Sequence, residues 1–197
     1  YKSAHEIALN NAFNAMTQLY KKFNLNSIRK EYRFYRTEIT KKHYGASASR
    51  SRFLAFQALF EMAKLPSAYS IALDAEELYW KVLIENIRPI PSIVKLVRQL
   101  HLLQKPICAV TDMQARIQVQ KIRELQLEKE ITYLVTSEEA GCEKPDTKIF
   151  QLALEKLGFK ANEVVMIGDN FEKDVKGAKS IGMDAWLVKE KTLQQVS

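Results

Sequence analysis

No stretch of this chain approaches the roughly 18 consecutive apolar residues of a membrane-spanning helix. No secretory signal, with its basic, apolar and small-residue regions in order, is visible. A membrane partner is therefore not expected. Cysteine is scarce: two in 197 residues, too few for a disulfide framework. Cys108 lies in an apolar run and Cys142 in a loop, so both are expected as reduced thiols in a cytoplasmic protein. Strand-like segments are missing from the first 88 residues, which excludes an all-β or evenly mixed fold. The chain begins at Tyr1 rather than at methionine, and the gene product is expected to start further upstream.

What is present suits a globular protein. An apolar fraction of 47% can supply a core, and the length fits one domain or two small ones. The net charge of +7 is unevenly placed. Residues 1–88 carry 14 Lys/Arg against 8 Asp/Glu, whereas residues 89–197 carry 16 against 15. Most of the excess lies between Lys21 and Arg52. A solvated helical face, attraction of a small phosphorylated substrate, and nucleic-acid binding would each account for it. No nucleic-acid-binding motif accompanies it, and nucleic acid is not the expected partner.

Residues 1–88 read as an all-helical bundle. Residues 3–23 place Ile7, Ala12, Met16, Leu19 and Phe23 at the spacing of one buried face. A second helix covers Ile28–Lys41. Between Arg50 and Leu65 the run through Phe53, Phe56, Leu59 and Phe60 is apolar nearly all round, as in a helix enclosed by others. Asp74 with Glu77 resembles a capping box opening a helix to about Ile87.

Arg88-Pro89-Ile90-Pro91 marks a boundary, beyond which helix and strand patterns alternate. Helices are expected over 92–103, 114–125 and 146–157, with strands over 106–110, 131–135, 164–167 and 184–188. Repeated β-α units imply a right-handed parallel sheet, so the fold class is α/β: a Rossmann-like core at 89–197 and an all-helical domain at 1–88. Val164–Ile167 is the most telling strand. Gly168 permits a sharp turn, Asp169 stands just past the strand end, and Asp174 follows five residues on, in a helical pattern closed by Gly182.

Ligands of such sheets bind at the carboxyl ends of the strands. Three polar residues fall there: Thr111, Lys144 and Asp169. A hydroxyl, an ammonium and a metal-binding carboxylate make a reasonable phosphate cradle. The hydroxyl donates to a phosphoryl oxygen, the ammonium neutralises developing charge, and the carboxylate holds a hard cation.

The strings ICAVT, GCEKPDTKIF and GDNFEKDVKGAKSIGM together resemble the haloacid dehalogenase superfamily of hydrolases, mostly phosphatases. The resemblance covers the whole chain and implies a helical cap domain (C1 type) that excludes water and selects small substrates. It implies a Mg²⁺-dependent phosphatase acting on a small phosphorylated metabolite through an aspartyl-phosphate intermediate. Thr111 and Lys144 would be catalytic and would hold the phosphoryl group. Asp112 would stand at a substrate-binding position where many relatives carry Asn. Asp169 would bind the metal, and Asp174 would support the metal shell or orient Lys144. The family's first motif, an Asp-x-Asp pair giving the nucleophile and the general acid-base, occurs nowhere in residues 1–197. A further strand of roughly 10–20 residues with its loop, carrying that pair, is expected between the strands ending at Thr111 and Asp169. Without the pair, the alternative is a catalytically dead phosphate-binding protein. A 2-haloacid dehalogenase, working without a metal, is the other alternative.

Overall fold

The computed structural model describes residues 2–189 and 192–195. The chain divides into two compact units, residues 1–44 with 48–88, and residues 45–47 with 89–197.

The first unit is helical throughout. Helices α1 (Lys2–Leu19), α2 (Leu25–Lys42), α3 (Arg52–Met62) and α4 (Ala68–Asn86) are joined by short loops and a 3₁₀ turn, Ser47–Arg50. Asn24 opens α2 by accepting from the amides of Asn26 and Ser27, and Ser51 opens α3 by accepting from Leu54. Such caps satisfy amides that a helix start leaves without partners. Phe56, Leu59, Phe60, Tyr32, Tyr79 and Leu83 are fully buried.

Two details correct the sequence reading. Ala12, Met16 and Phe23 are buried as expected, but the rest of the buried face of α1 is Ala4, Ala8, Leu9 and Phe13, while Ile7 and Leu19 are 41% and 69% exposed. Small residues let α1 lie close against α4, so alanine spacing rather than the largest side chains sets the face. Helix α4 starts at Ala68, and Asp74 lies inside it, exposed. The acid that caps a helix here is Glu76, whose Oε1 accepts from the Phe53 amide of α3 at 3.0 Å and from Trp80 Nε1 at 3.2 Å. A cap delivered from another helix leaves no local sequence signature.

In the second unit α5 (Pro91–Leu102) precedes β1 (Cys108–Thr111), α6 (Ala115–Glu124), β2 (Tyr133–Thr136) and a short α7 (Ser137–Ala140). Then come α8 (Thr147–Leu157), β3 (Val165–Gly168), a π-helical turn Phe171–Val175, α9 (Lys176–Lys179), β4 (Asp184–Lys189) and β5 (Thr192–Gln195). Strands β1 and β2 pair in parallel, with Thr111 opposite Thr136. Strands β3 and β4 also pair in parallel, with Gly168 opposite Leu187. Strand β5 adds antiparallel to β4, an element that the sequence reading did not contain.

The two ladders do not hydrogen-bond to each other, yet they share one core. Val135 of β2, Ile149, Phe150 and Ala153 of α8, Val175, and Ala185 and Leu187 of β4 pack together, flanked by Val110 and Met166. Among the described residues the sheet is thus interrupted, and its halves are held by the helix layer and by side chains at the strand ends.

Candidate active site

Strand β1 delivers Thr111 and, one residue on, Asp112. Thr111 Oγ1 accepts from Gln118 Nε2 at 2.9 Å, which leaves its own proton to donate elsewhere. The loop between α7 and α8 begins at Gly141, whose φ of 71° turns the chain off the helix as an αL terminator. It ends at Asp146, which caps α8 through the Lys148 amide at 3.0 Å. Lys144 lies within this loop. Its amide donates to Asp112 Oδ1 at 2.8 Å, and its ammonium donates to the Val110 carbonyl at 2.9 Å.

The turn after β3 supplies the other half. Lys144 Nζ lies 2.8 Å from Asp174 Oδ1, with side-chain exposures of 12% and 5%. Asp174 Oδ2 accepts from the Asn170 amide at 3.0 Å. One ammonium therefore ties the end of β1 to the turn after β3, although no backbone ladder joins the two strands. Gly168 is essential to this packing, because a methyl group there would run into the Asp174 carboxylate. Gly177 is equally constrained: a Cβ would sit 2.5 Å from the Phe150 ring and 3.2 Å from the Pro145 Cα.

Asp169 stands apart from this network. It is exposed, and no hydrogen bond or ion pair engages its carboxylate among the described residues. The described residues form no cluster of three or more His, Cys, Asp or Glu side chains able to hold a metal. A single available carboxylate still suits Mg²⁺, which keeps several waters and binds through one or two carboxylates. Asp174, in contrast, has its oxygens directed at Lys144 and at the Asn170 amide.

Two further residues belong to the site and were missed in the sequence. Lys173 Nζ lies 2.7 Å from Asp112 Oδ2 and 3.0 Å from Glu143 Oε2. Glu143 itself is only 7% exposed, and its amide donates to the Gly45 carbonyl at 2.8 Å. Asp112 is thus gripped on both oxygens, by the Lys144 amide and by Lys173. The only sequence signal was adjacency: Glu143 precedes Lys144 and Lys173 precedes Asp174. A local reading treats such neighbours as solvated charges. Cys108, at the start of β1, has its thiol pushed up to about 11 by burial, which disfavours the thiolate at neutral pH.

A parallel-stranded core with a hydroxyl, an ammonium and a carboxylate at its strand ends defines a Rossmann-like α/β protein. The chain belongs to the haloacid dehalogenase-like hydrolase family, whose sequence model matches residues 3–182. It is 30% identical over 165 residues to the ribulose-1,5-bisphosphate 5-phosphatase of Halopiger xanaduensis, covering 84% of this chain and 69% of that protein. It is 33% identical over 105 residues to the glyceraldehyde 3-phosphate phosphatase of Methanocaldococcus jannaschii, covering 53% of this chain and 46% of that one. The match thus spans less than half of the second relative. Among solved structures, a HAD phosphatase from Thermococcus onnurineus superposes with a TM-score of 0.69 at 20% identity, covering 95% of this chain and 80% of the other. A 2-haloacid dehalogenase from Pseudomonas syringae pv. Tomato gives 0.72 at 20% identity, covering 92% and 77%. These two likenesses establish the fold.

Proposed function

We propose that this hydrolase is a Mg²⁺-dependent phosphomonoesterase that acts on a small phosphorylated metabolite through an aspartyl-phosphate intermediate. The observation that carries this reading is the fixed ammonium of Lys144, held by Asp174 and by the carbonyl of Val110, the residue before Thr111. A cation locked at the carboxyl end of a parallel strand is preorganised for charge that develops on a phosphoryl group. The phosphatase relatives support the reaction type, and their sugar-phosphate and triose-phosphate substrates support a small phosphorylated sugar or acid.

In this mechanism Thr111 donates its hydroxyl proton to a phosphoryl oxygen, while Gln118 fixes the hydroxyl's direction. Lys144 neutralises a second oxygen. Asp174 keeps that ammonium in place, and Asp112 holds the loop through the Lys144 amide. Asp169 would hold Mg²⁺, which when bound supplies Lewis-acid polarisation of the phosphoryl group. The nucleophile is assigned to an aspartate outside residues 1–197, on a strand that completes the interrupted sheet. The family resemblance suggests the aspartate, and the unpaired gap between the β1-β2 and β3-β4-β5 ladders supports a further strand there. The helical unit is assigned the role of a cap. A cytoplasmic setting goes with free thiols and with the absence, among the described residues, of any helix long and apolar enough to cross a membrane.

The full-length protein should release phosphate from p-nitrophenyl phosphate with Mg²⁺ and lose that activity in chelator. Asp169→Asn should demand a much higher Mg²⁺ concentration. Chelator-insensitive halide release from 2-chloropropionate, with no phosphate release across a metal screen, would replace this reading by a dehalogenase.

A further inference from the structure

Thr111 is gripped from α6, and α6 is gripped in turn by the element that follows β2. Strands β1 and β2 end level with each other, Thr111 opposite Thr136. The chain runs from Thr111 towards α6 and from Thr136 directly into α7. Thr136 Oγ1 accepts from the Glu139 amide at 3.2 Å, and Lys156 Nζ of α8 pairs with Glu139 at 2.6 Å. Glu138 is therefore presented on an anchored turn. Its Oε2 accepts from the Ala115 amide, the first of α6, at 2.8 Å. Gln114, at the N-cap position, makes no side-chain cap, and the first turn of α6 carries no acid of its own. A carboxylate from α7 supplies what this helix start lacks: an acceptor for an amide, and negative charge at the positive end of the helix.

Gln118 closes that first turn. Its backbone amide donates to the Gln114 carbonyl at 3.2 Å, and its side-chain Nε2 donates to Thr111 Oγ1 at 2.9 Å. A hydroxyl has one proton and two lone pairs. With a donor filling one lone pair from the α6 side, the Thr111 proton turns to an acceptor elsewhere. A phosphoryl oxygen is such an acceptor.

We propose that Gln118 and Glu138 are positioning residues for phosphoryl transfer. Glu138 fixes the first turn of α6, and Gln118 donates from that turn to Thr111, so that the hydroxyl presents its proton to the substrate. Each acts through another residue. The inference rests on the phosphatase reading and adds to it an acid, Glu138, that stands outside the phosphate cradle.

The test is phosphate release from p-nitrophenyl phosphate by the full-length protein and its variants, with a melting curve for each to confirm folding. Gln118→Met keeps the length of the side chain and removes the donor. It should lower kcat about tenfold and leave KM within about twofold, because this hydrogen bond matters most as charge builds on the phosphoryl oxygens. Gln118→Glu replaces the donor by an acceptor that claims the Thr111 proton. Its kcat should fall further at alkaline pH. Relative to wild type it should recover as pH is lowered toward the ordinary glutamate pKa of roughly 4.3, where a protonated carboxyl donates again. Gln118→Met should show no such recovery. Glu138→Ala should lower kcat about threefold in the wild-type background and no further in Gln118→Met, the non-additivity of residues that share one path.

A folded Gln118→Met with wild-type kcat would overturn the inference, whatever its melting temperature. So would a Gln118→Glu loss that ignores pH, or a Glu138→Ala loss that adds in full to that of Gln118→Met. A wild type that releases no phosphate sinks the phosphatase reading and this inference with it. An active wild type with indifferent variants sinks this inference alone.

Discussion

Lys144 and Asp174 form an ion pair of 2.8 Å across the interruption of the sheet, with side-chain exposures of 12% and 5%. Removing one member of such a pair leaves a buried charge without its partner. Asp174→Ala should therefore cost about 3–5 kcal/mol of stability, measured by denaturant unfolding, and should abolish phosphate release. Replacing both partners, as Lys144→Met with Asp174→Leu, should recover much of the stability and none of the activity. Equal stability of the single and double variants would show that the pair does not hold the strand ends together.

Gly168→Ala tests the approach of Asp174 to the β3 turn. The added methyl must displace the carboxylate that Lys144 uses. The expected cost is about 1–3 kcal/mol from overpacking, with a fall in kcat larger than any change in KM. Wild-type stability and kcat in this variant would show that the turn has room to shift.

Lys173 is a positioning residue rather than a catalytic one, because its ammonium contacts Asp112 and Glu143. Lys173→Met should set the Asp112 and Glu143 carboxylates against each other and loosen the Lys144 loop. A fall in kcat/KM of about tenfold, equivalent to ~1.4 kcal/mol, is expected, with partial rescue in Lys173→Arg. A purely structural role would lower melting temperature alone, and rescue by Arg would then restore stability without changing kcat/KM.

His5 gives stability a pH dependence with a definite sign. Its folded-state pKa lies below the ordinary 6.5, through burial and then Arg52. Between 6.5 and that lower value the unfolded chain binds more protons than the folded one, so stability falls as pH drops through this window. At higher pH both states hold neutral imidazole and the effect vanishes. His5→Gln should flatten the fall of the melting temperature as pH drops below 6.5, relative to wild type. An unchanged slope would place the acid sensitivity elsewhere.

Much of the fold was legible because its signals are local. The apolar strand Val165–Gly168 with Asp169 behind it, the Asp146 cap of α8 and the αL glycines 158 and 182 follow from chain stereochemistry and short-range hydrogen bonding, whereas residues 136–144, whose polar run reads as a loop, contain the short α7. On the α1 face Ala12 and Met16 were read correctly, and Ile7 and Leu19 were not, because Ala4 and Ala8 take the buried positions. The start of α4 failed because Asp74 has a capping residue's composition without a helix end to cap. Strand β5 lay beyond the last apolar run, and its antiparallel pairing depends on β4 being there to receive it.

The site divides in the same way. Thr111, Lys144 and Asp169 could be named from residue type and position at strand ends. The family resemblance offered Asp174 either to the metal shell or to Lys144, and the ion pair with Lys144 is the one seen; that Lys173 reaches 61 residues back to Asp112 could not be read.

By itself the sequence determined the order of helices and strands, the turn residues, and which polar side chains stand at the carboxyl edge of the sheet. Each of these is fixed by neighbours a few residues away. Tertiary structure alone decided which carboxylate meets which ammonium, where the ladders break, and how Glu138 comes to meet the first amide of α6. Those pairings join groups tens of residues apart, and only packing of the intervening helices brings them within reach of one another.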